Sequence, residues 1–206
     1  MFILSHVKDL VRIAPDQFHH DTLNAITHQL NHKYANKVIP QIGLCISVYD
    51  VLEIDEGQIK PGDGASFINV EFRALVFKPF VGEVLTGWIT KCNNDGIQVS
   101  MGGLFNDIFI PRTMMFENCF YKPDESAWLW QMDEDTELYF DINELIRFRV
   151  EKEIFIDIKP KDPSKIDATT EGEGEDTMEK EDNSTPAYAL LGSCQTDGMG
   201  VVSWWE

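Results

Sequence analysis

The stretch FINVEFRALVFKPFVGEVLTGWITKCNNDGIQVS, from Phe67 to Ser100, decides the fold that we predict for this chain. Its first half alternates, and one face of the extended chain is strongly apolar, with Ile68, Val70, Phe72, Ala74 and Val76. A period of two over this length predicts a long strand. Pro79 lacks a backbone N–H and Gly82 allows a bend, so regular pairing should stop there and a new strand should follow. We interpret the segment as the crossing point between two closely packed domains, residues 1–80 and 81–206.

The first domain is predicted to be a small α+β unit. Met1–Ile13 alternates in part and predicts a strand, and Val38–Ile54 predicts another. One face of that second strand should carry Ile42, Leu44, Ile46 and Val48. Together with the long strand that ends before Pro79, these segments predict a sheet with a helix on one face.

The helix is predicted over Asp16–Tyr34, where the apolar spacing changes to three and four residues. The stripe that should face the sheet consists of Leu23, Ile26, Leu30 and Tyr34, extended by Phe18. His28 and His32 lie four residues apart, a spacing that can bind a metal. No carboxylate lies between them, so we favour an exposed or partner-facing helix edge and predict no metal and no cofactor.

A long turn rich in glycine and acidic residues, EIDEGQIKPGDGA, follows the second strand. Pro61-Gly62 is a strong turn signal, and the segment lacks the G-K-[ST] ending of a phosphate-binding loop. We therefore predict a hairpin tip, either a contact surface or a flexible loop. Its candidate residues are Gly57, Pro61, Gly62, Asp63 and Gly64.

The second domain is predicted to consist of strands that form a barrel or sandwich. Short strands are predicted at Val84–Lys91, Ile97–Met101, Leu104–Ile110 and, as a longer one, Ile146–Ile158. An aromatic insert at 114–136 interrupts them, and we favour a structured cover over an exposed binding patch. After the insert and the long strand, Tyr188, Leu190, Val201, Val202, Trp204 and Trp205 predict a hairpin that closes the barrel.

The net charge of −18 is spread unevenly along the chain. Residues 1–80 carry a net −2, 81–161 carry −7 and 162–206 carry −9. The segment at about 160–186 has almost no apolar residues and predicts a disordered acidic loop. Such a balance disfavours autonomous nucleic-acid binding, because attraction to phosphate is the main non-specific contribution. The excess of acidic residues is consistent with docking on a basic partner, and it is equally consistent with a role in solubility alone.

The sequence also argues against several functional classes. The four cysteines are far apart, without a C-x-x-C pair, which fits buried thiols in a reducing compartment. We find no secretory signal and no apolar run of about 20 residues, and we expect no membrane contact. All five histidines lie in the first domain, so no Ser/His/Asp arrangement is suggested and we predict no enzymatic activity.

Three separated stretches resemble one known family. VEFRALVFKPFVGEV, from Val70 to Val84, is similar to the crossing segment of the RNA polymerase stalk subunits, which include the archaeal E subunit. The opening MFILSHVKDLVRIAP and the ending AYALLGSCQTDGMGVVSWWE resemble in particular the RNA polymerase III version. This resemblance implies a ribonucleoprotein-like α+β tip domain, an OB-fold, a helical partner subunit, a nuclear location and a role in transcription initiation. It also implies that the tip docks on the polymerase body.

The resemblance further implies that the OB-fold faces emerging single-stranded RNA. An OB-fold binds single strands with aromatic and cationic side chains. Our candidates are Lys91, Phe105, Phe109, Arg112, Arg147 and Arg149. Phe105 and Phe109 should share a face by spacing, although core filling is the commoner fate of such residues. Arg147 and Arg149 should face outward together, towards phosphates or towards the carboxylates of a partner.

Two functions remain open at this point. The first is a polymerase stalk subunit, for which we expect RNA binding that is weak and salt-sensitive in the isolated chain and stronger in the heterodimer. The second is a free-standing OB-fold protein that binds single-stranded RNA in RNA processing or translation. A free-standing binder should show a basic face, whereas this chain is acidic.

Overall fold

The computed structural model describes residues 1–133, 136–156 and 186–205. The predicted acidic loop lies almost entirely outside these residues. The described residues form one α-helix, α1 (Thr22–Tyr34). They also form strands β1 (Phe2–Ile13), β2 (Lys37–Ile39), β3 (Gly43–Ile54), β4 (Gln58–Ile59), β5 (Ser66–Phe77), β6 (Val84–Asn93), β7 (Gly96–Ser100), β8 (Ile108–Pro111), β9 (Cys119–Lys122), β10 (Ala127–Asp133), β11 (Thr136–Phe140), β12 (Leu145–Phe155), β13 (Tyr188–Ser193) and β14 (Gly200–Val201). Short 3₁₀ turns lie at Pro15–Gln17, Arg112–Met114 and Val202–Trp204.

The first sheet has the strand order β1-β5-β3-β2, and β4 pairs with the start of β5. β1 and β5 run antiparallel in an unbroken register from Phe2 opposite Phe77 to Ile13 opposite Ser66. The alternation predicted for β5 is confirmed, because its five predicted inward residues are all buried. This inward face packs against α1 and forms the core of the first unit.

The helix begins later than the sequence predicts. Asp21 is its N-cap and accepts a hydrogen bond from the Asn24 backbone N–H at 3.4 Å. Phe18 therefore lies in a separate turn and is 49% exposed, and Leu23 is also exposed. Both were predicted to be buried, and both predictions are wrong. The buried side of the helix instead consists of Ala25, Ile26 and Leu30.

Strand β3 does not follow the predicted alternation. Its pairing with β5 shifts register between Cys45 and Ser47 and at two later points. Each shift adds one unpaired residue, so the inward positions recur every third residue, at Cys45, Val48 and Val51. Leu44 and Ile46 pack elsewhere, against the core of the barrel. The prediction that Ile42, Leu44, Ile46 and Val48 share one face is therefore wrong.

The second unit is a closed barrel, which confirms the OB-fold. Its strands run in the order β13-β8-β7-β6-β12, and β13 pairs in parallel with β8 and antiparallel with β12. The C-terminal segment closes the barrel as predicted, but not as a hairpin. β13 and β14 both pair with β12, β14 opposite Ile146 and Arg147 and β13 further along the same strand.

The aromatic insert and the strand that follows it form a further sheet, β11-β10-β9, that packs on the barrel. Trp128 is fully buried in the barrel core, and its indole Nε1–H donates to the Asn93 carbonyl at 2.9 Å. Phe116 stacks on Trp130 with 4.1 Å between ring centroids. The insert is therefore a structured cover, although Phe120 is exposed.

The two units share buried side chains at the crossing point. Leu44 and Phe77 belong to the first sheet but are buried in the core cluster of the barrel. The N-terminal ammonium group lies 2.8 Å from Glu83, and the Val150 N–H donates to the Glu83 carbonyl at 2.9 Å. The segment between β5 and β6 is thus held from both sides.

Candidate nucleic-acid interface and docking surfaces

Three side chains form a row across the outer surface of the barrel. Lys91 on β6 pairs with Gln98 on β7, and Gln98 pairs with Phe109 on β8. Phe109 points outward because Ile108 and Ile110 on either side of it are fully buried. We call Lys91, Gln98 and Phe109 the outer row. It crosses the first three barrel strands, β6, β7 and β8. The second and third of these belong to the face that OB-folds use for oligonucleotides.

Arg112 lies just beyond the end of this row. Its backbone N–H donates to the Asp95 carbonyl in the β6–β7 turn at 2.9 Å, and its side chain is exposed. The structure therefore brings together three predicted RNA-binding residues, namely Lys91, Phe109 and Arg112. They provide a ring and two cations, the groups that stack on bases and contact phosphates.

Phe105 lies elsewhere. It is 6% exposed, and its ring lies 5.3 Å from those of both Phe77 and Tyr188. It precedes β8, in a loop that turns it into the core, so the prediction that Phe105 and Phe109 share a face is wrong. A ring packed in this way offers no free face to a base.

Arg147 and Arg149 form a second, separate group on the outer face of β12. Their neighbours Ile146, Phe148 and Val150 are fully buried, so both arginines point outward as predicted. The Arg149 guanidinium donates two hydrogen bonds to Glu151, at 2.8 and 2.6 Å, and Arg147 donates to the Gly198 carbonyl at 3.3 Å. Both cations thus already have partners within the chain.

Sequence reasoning missed two residues of this surface, Trp88 and Gln98. Trp88 is 50% exposed and lies opposite Ser100 on β7, next to the outer row. The sequence did contain a signal for Trp88. Every second residue of β6 from Val84 to Thr90 is exposed, and Trp88 is one of these outward positions. Gln98 carried no such signal, since its place in the row depends on the pairing of three strands.

The tip residues 57–64 form a turn tied to the start of the chain. Arg12 on β1 donates two hydrogen bonds to Asp63, at 2.9 and 2.7 Å, and Arg12 holds the pKa of this carboxyl below its ordinary value. Gly57 passes so close to the sheet that a Cβ there would lie 2.5 Å from Ser66 Oγ. Gly62 and Gly64 adopt positive φ angles of 90° and 70°, which favour glycine. The turn therefore has one defined shape that this sequence specifies.

The described residues contain no activated thiol. Burial raises the pKa of Cys45, raises that of Cys92 to about 11 and raises those of Cys119 and Cys194 to about 12. Thiols of this kind stay protonated at neutral pH and are poor nucleophiles. Within the same part of the chain, no group of three histidine, cysteine or acidic side chains is placed to hold a metal ion, and no helix is long and apolar enough to span a membrane.

Comparison with known proteins defines the class first. Residues 8–64 match the model of the SHS2 domain found in the N terminus of Rpb7p/Rpc25p/MJ0397, and residues 83–205 match that of RNA polymerase III subunit Rpc25. The chain therefore belongs to the RNA polymerase III subunit Rpc25 family.

Individual relatives agree with this assignment. The chain is 63% identical to DNA-directed RNA polymerase III subunit RPC8 of Saccharomyces cerevisiae, and the match covers both chains completely. It is 39% identical to the Bos taurus protein of the same name, over 100% of this chain and 98% of that one. It is also 33% identical to RNA polymerase II subunit RPB7 of S. cerevisiae, over 52% of this chain and 60% of that one.

Proposed function

We propose that this chain is a stalk subunit of the nuclear RNA polymerase III and carries no reaction of its own. The observation that carries the proposal is its relationship, over its whole length, to proteins named as RNA polymerase III subunits. The fold is consistent with it, because a small α+β unit and an OB barrel share one core at their junction. The protonated, buried thiols offer no catalytic nucleophile.

In this proposal, the first unit docks on the polymerase body through its tip, residues 57–64. The tip projects Ile59, which is 65% exposed, beyond the core of the sheet. The ion pair between Arg12 and Asp63 holds this turn in place before docking. A preformed loop loses less conformational entropy on binding than a flexible one, so the ion pair favours association.

The helical partner subunit binds along the junction of the two units. Four apolar side chains at this junction are exposed, namely Phe2, Phe80, Val81 and Val84. They lie at the crossing point, which is held by the hydrogen bonds of Gly82 and Val150. An exposed apolar cluster of this kind is typical of a protein-binding surface, because burying it is favourable.

The OB barrel contacts nascent RNA through the outer row, with Trp88 and Arg112 beside it. These residues supply two exposed or partly exposed rings and two cations. The chain as a whole is acidic, so repulsion opposes the approach of phosphates. Binding by the isolated chain is therefore weak and salt-sensitive, and the heterodimer binds more tightly. In this position the stalk supports transcription initiation.

The proposal is tested by purifying the tagged native protein and measuring the size and composition of what elutes with it. Co-elution with a helical partner and the large polymerase subunits is the expected result. Elution as a lone small protein that binds RNA oligomers by itself would contradict it. That result would favour a free-standing OB-fold RNA-binding protein.

RNA contact is tested separately on the purified heterodimer, with a fluorescent single-stranded RNA oligomer. Phe109→Ala should weaken binding by about 5- to 160-fold, because one stacked base contributes about 1–3 kcal/mol. Phe120→Ala is the matched control, since Phe120 is also an exposed aromatic residue but lies on the insert. Submicromolar affinity of the isolated wild-type chain at physiological salt would contradict the weak binding that we propose.

A further inference from the structure

A cavity of about 490 Å³ lies where the aromatic insert meets the end of the barrel. Its lining comes from residues 115–118, which follow a short 3₁₀ turn, from residues 130–132 of β10 and from Gln195 after β13. We call it the insert cavity. Its volume lies within the range of about 300–1,000 Å³ that is typical of small-molecule sites. No residue of the outer row lines it, so the nucleic-acid interface described above does not account for it.

The walls of the insert cavity are held in place by contacts within the chain. Phe116 stacks on Trp130 with 4.1 Å between ring centroids, and Met115 is 3% exposed and belongs to the barrel core. The Gln131 backbone N–H donates to the Asn118 carbonyl at 3.2 Å, which ties the segment before β9 to β10. A ligand would therefore meet a preformed apolar wall whose ordering costs little on binding.

Three side-chain amides add hydrogen-bonding groups to this wall. In the described part of the chain, the side-chain amides of Asn118 and Gln131 make no hydrogen bond. Gln195 donates one Nε2–H to the Thr113 carbonyl at 2.8 Å, which leaves its second N–H and its side-chain oxygen available. Each amide thus offers a donor and an acceptor side by side. Such pairs match a neutral planar ligand that also carries donors and acceptors along one edge, as a nucleobase does.

The charge of the lining indicates which part of a nucleotide would enter. Among the lining residues Glu117 alone is charged. A carboxylate repels a phosphate, but it accepts a hydrogen bond from an exocyclic amino group such as N4 of cytosine. Uracil has a carbonyl oxygen in the same place, which faces a carboxylate unfavourably. The cavity therefore favours a base over a phosphate, and an amino-bearing base over uracil.

The position of the insert cavity connects it to the outer row. Arg112 begins the 3₁₀ turn, and the next residue, Thr113, accepts the hydrogen bond from Gln195. Met115 follows Arg112 by three residues, which corresponds to about 6 Å along such a turn. An RNA whose phosphate contacts Arg112 could therefore direct an adjacent base into the cavity. Proteins commonly recognise single-stranded RNA through bases that are turned out in this way.

A protein segment fits the cavity less well. Met132 is 53% exposed, whereas the other apolar residues of the lining are buried or half-buried. Protein-binding surfaces usually present a contiguous exposed apolar patch, and the lining offers one such side chain only. The amides and the carboxylate instead favour a small polar ligand.

We propose that the insert cavity binds one unpaired base of the RNA that crosses the outer row, and that Glu117 selects a base with an exocyclic amino group. The inference rests on the proposed function, because the outer row must hold the RNA. The amides of Asn118, Gln131 and Gln195 bond to the rest of the base edge, and the Met115 thioether packs against the ring. The barrel thereby gains a preference among bases that phosphate contacts alone do not give.

Binding of two RNA oligomers to the purified heterodimer tests the proposal. Oligocytidine and oligouridine of equal length present the same base in every register, with and without the amino group. Fluorescence anisotropy should show about tenfold tighter binding of oligocytidine, as expected for a hydrogen bond to a charged group. Phe109→Ala should weaken the binding of both RNAs and leave their ratio unchanged, because Phe109 does not line the cavity.

Two substitutions of exposed acidic residues separate the cavity from the general effect of charge. Glu117→Ala removes the lining carboxylate, so the preference for oligocytidine should fall to about twofold or less. Glu125→Ala removes the same charge from the turn between β9 and β10, outside the cavity, and the preference should remain. Both side chains are exposed, so thermal unfolding of the two variants should match the wild type. Ultraviolet cross-linking and mass spectrometry should attach cytidine to residues 115–118 or 130–132.

Four results would contradict the inference in different ways. Equal affinity of the wild-type heterodimer for the two RNAs would overturn it and leave RNA contact through the outer row standing. An unchanged preference in Glu117→Ala would do the same. Equal affinities together with a loss of polymerase recovery in Glu117→Ala would assign the cavity to a protein segment. A heterodimer that binds neither RNA would contradict the proposed RNA contact itself, and the inference with it.

Discussion

The first sheet and the barrel differ in how the edges of their strands are paired. In the barrel, β13 bonds to both β8 and β12, so each of its five strands has a neighbour on both sides. In the first sheet, β1 pairs with β5 alone among the residues that the structure describes. The closed barrel therefore presents side chains on the outer faces of its strands. The first sheet also presents backbone groups along one side of β1.

The barrel should depend most strongly on the residue that connects it to its cover. Trp128→Ala removes a fully buried indole and its hydrogen bond to Asn93, so we expect a loss of about 5 kcal/mol in the free energy of unfolding. Urea denaturation measures this loss. Phe120→Ala in the same insert should change it by no more than about 0.5 kcal/mol, because Phe120 is exposed. Equal losses would show that the insert does not stabilise the barrel.

The link between the two sheets should be the next most sensitive feature. Phe77 lies at the end of β5 but is buried in the barrel core, so Phe77→Ala should cost about 3–4 kcal/mol. Calorimetry should show one transition for the wild type and two for the variant, since the shared core is lost. Leu75→Ala, on the same face of β5 but partly exposed, is the control and should keep a single transition. Two transitions in the wild type would mean that the sheets unfold independently.

The barrel interior can be tested through Cys92, whose pKa burial raises from 9.0 to about 11. At pH 8 its alkylation, followed by peptide mass spectrometry, should be about 100-fold slower in the folded chain than in urea. A thiol whose pKa is higher in the folded chain than in the unfolded chain stabilises the fold. This stabilisation is complete at pH values below the pKa of the unfolded chain. This stabilisation should disappear between about pH 9 and pH 11. Cys92→Ala should remove the loss of stability that deprotonation of Cys92 causes at alkaline pH. Equal alkylation rates in the folded chain and in urea would show that the barrel interior is open to solvent.

The smallest effect should come from the ion pair at the tip of the first sheet. The pKa of Asp63 lies below its ordinary 3.8, first because Arg12 donates a hydrogen bond to the carboxylate. A carboxyl group whose pKa is lowered by folding stabilises the fold at pH values above its ordinary pKa. This contribution is lost as the pH falls through the lowered pKa of the folded chain. Arg12→Ala should return the pKa of Asp63 towards 3.8 in an NMR titration. Arg73→Ala is the control, because Arg73 pairs with Asp50. An unchanged pKa in Arg12→Ala would show that the tip is not held by this pair.

Sequence reasoning predicted the regular parts of the fold and failed where strands are irregular. β5 was predicted correctly because its alternation of apolar residues follows directly from the pleat of a strand. β3 was not, because each shift of register moves the following residues to the other face, and the pattern of β3 does not reveal where the shifts occur. The C-terminal strands and β12 were each predicted as strands, but the pairing of β13 and β14 with β12 was not, because an apolar pattern does not specify pairing.

The candidate site was predicted in part for the same reason. Alternation predicted that Arg147 and Arg149 face outward, and both do. For Phe109 the sequence left a core position and an RNA-facing position open, and the structure places its side chain on the outer face. Alternation does not distinguish Phe105 from Phe109, because the loop before β8 breaks the period between them. It also does not reveal that Arg149 already pairs with Glu151. Residues far apart in sequence, such as Lys91 and Phe109, become neighbours only through the order of the strands.

The sequence by itself determined the fold class and the family, because these depend on local periodicity and on stretches of residues that can be compared directly. The tertiary structure decided which surfaces are available. Barrel closure turns Phe105 inward and aligns the outer row. Within the described ranges, the strand order places β1 at the edge of the first sheet. The physical reason is that hydrogen-bond partners across a sheet are set by long-range pairing, which no local pattern encodes.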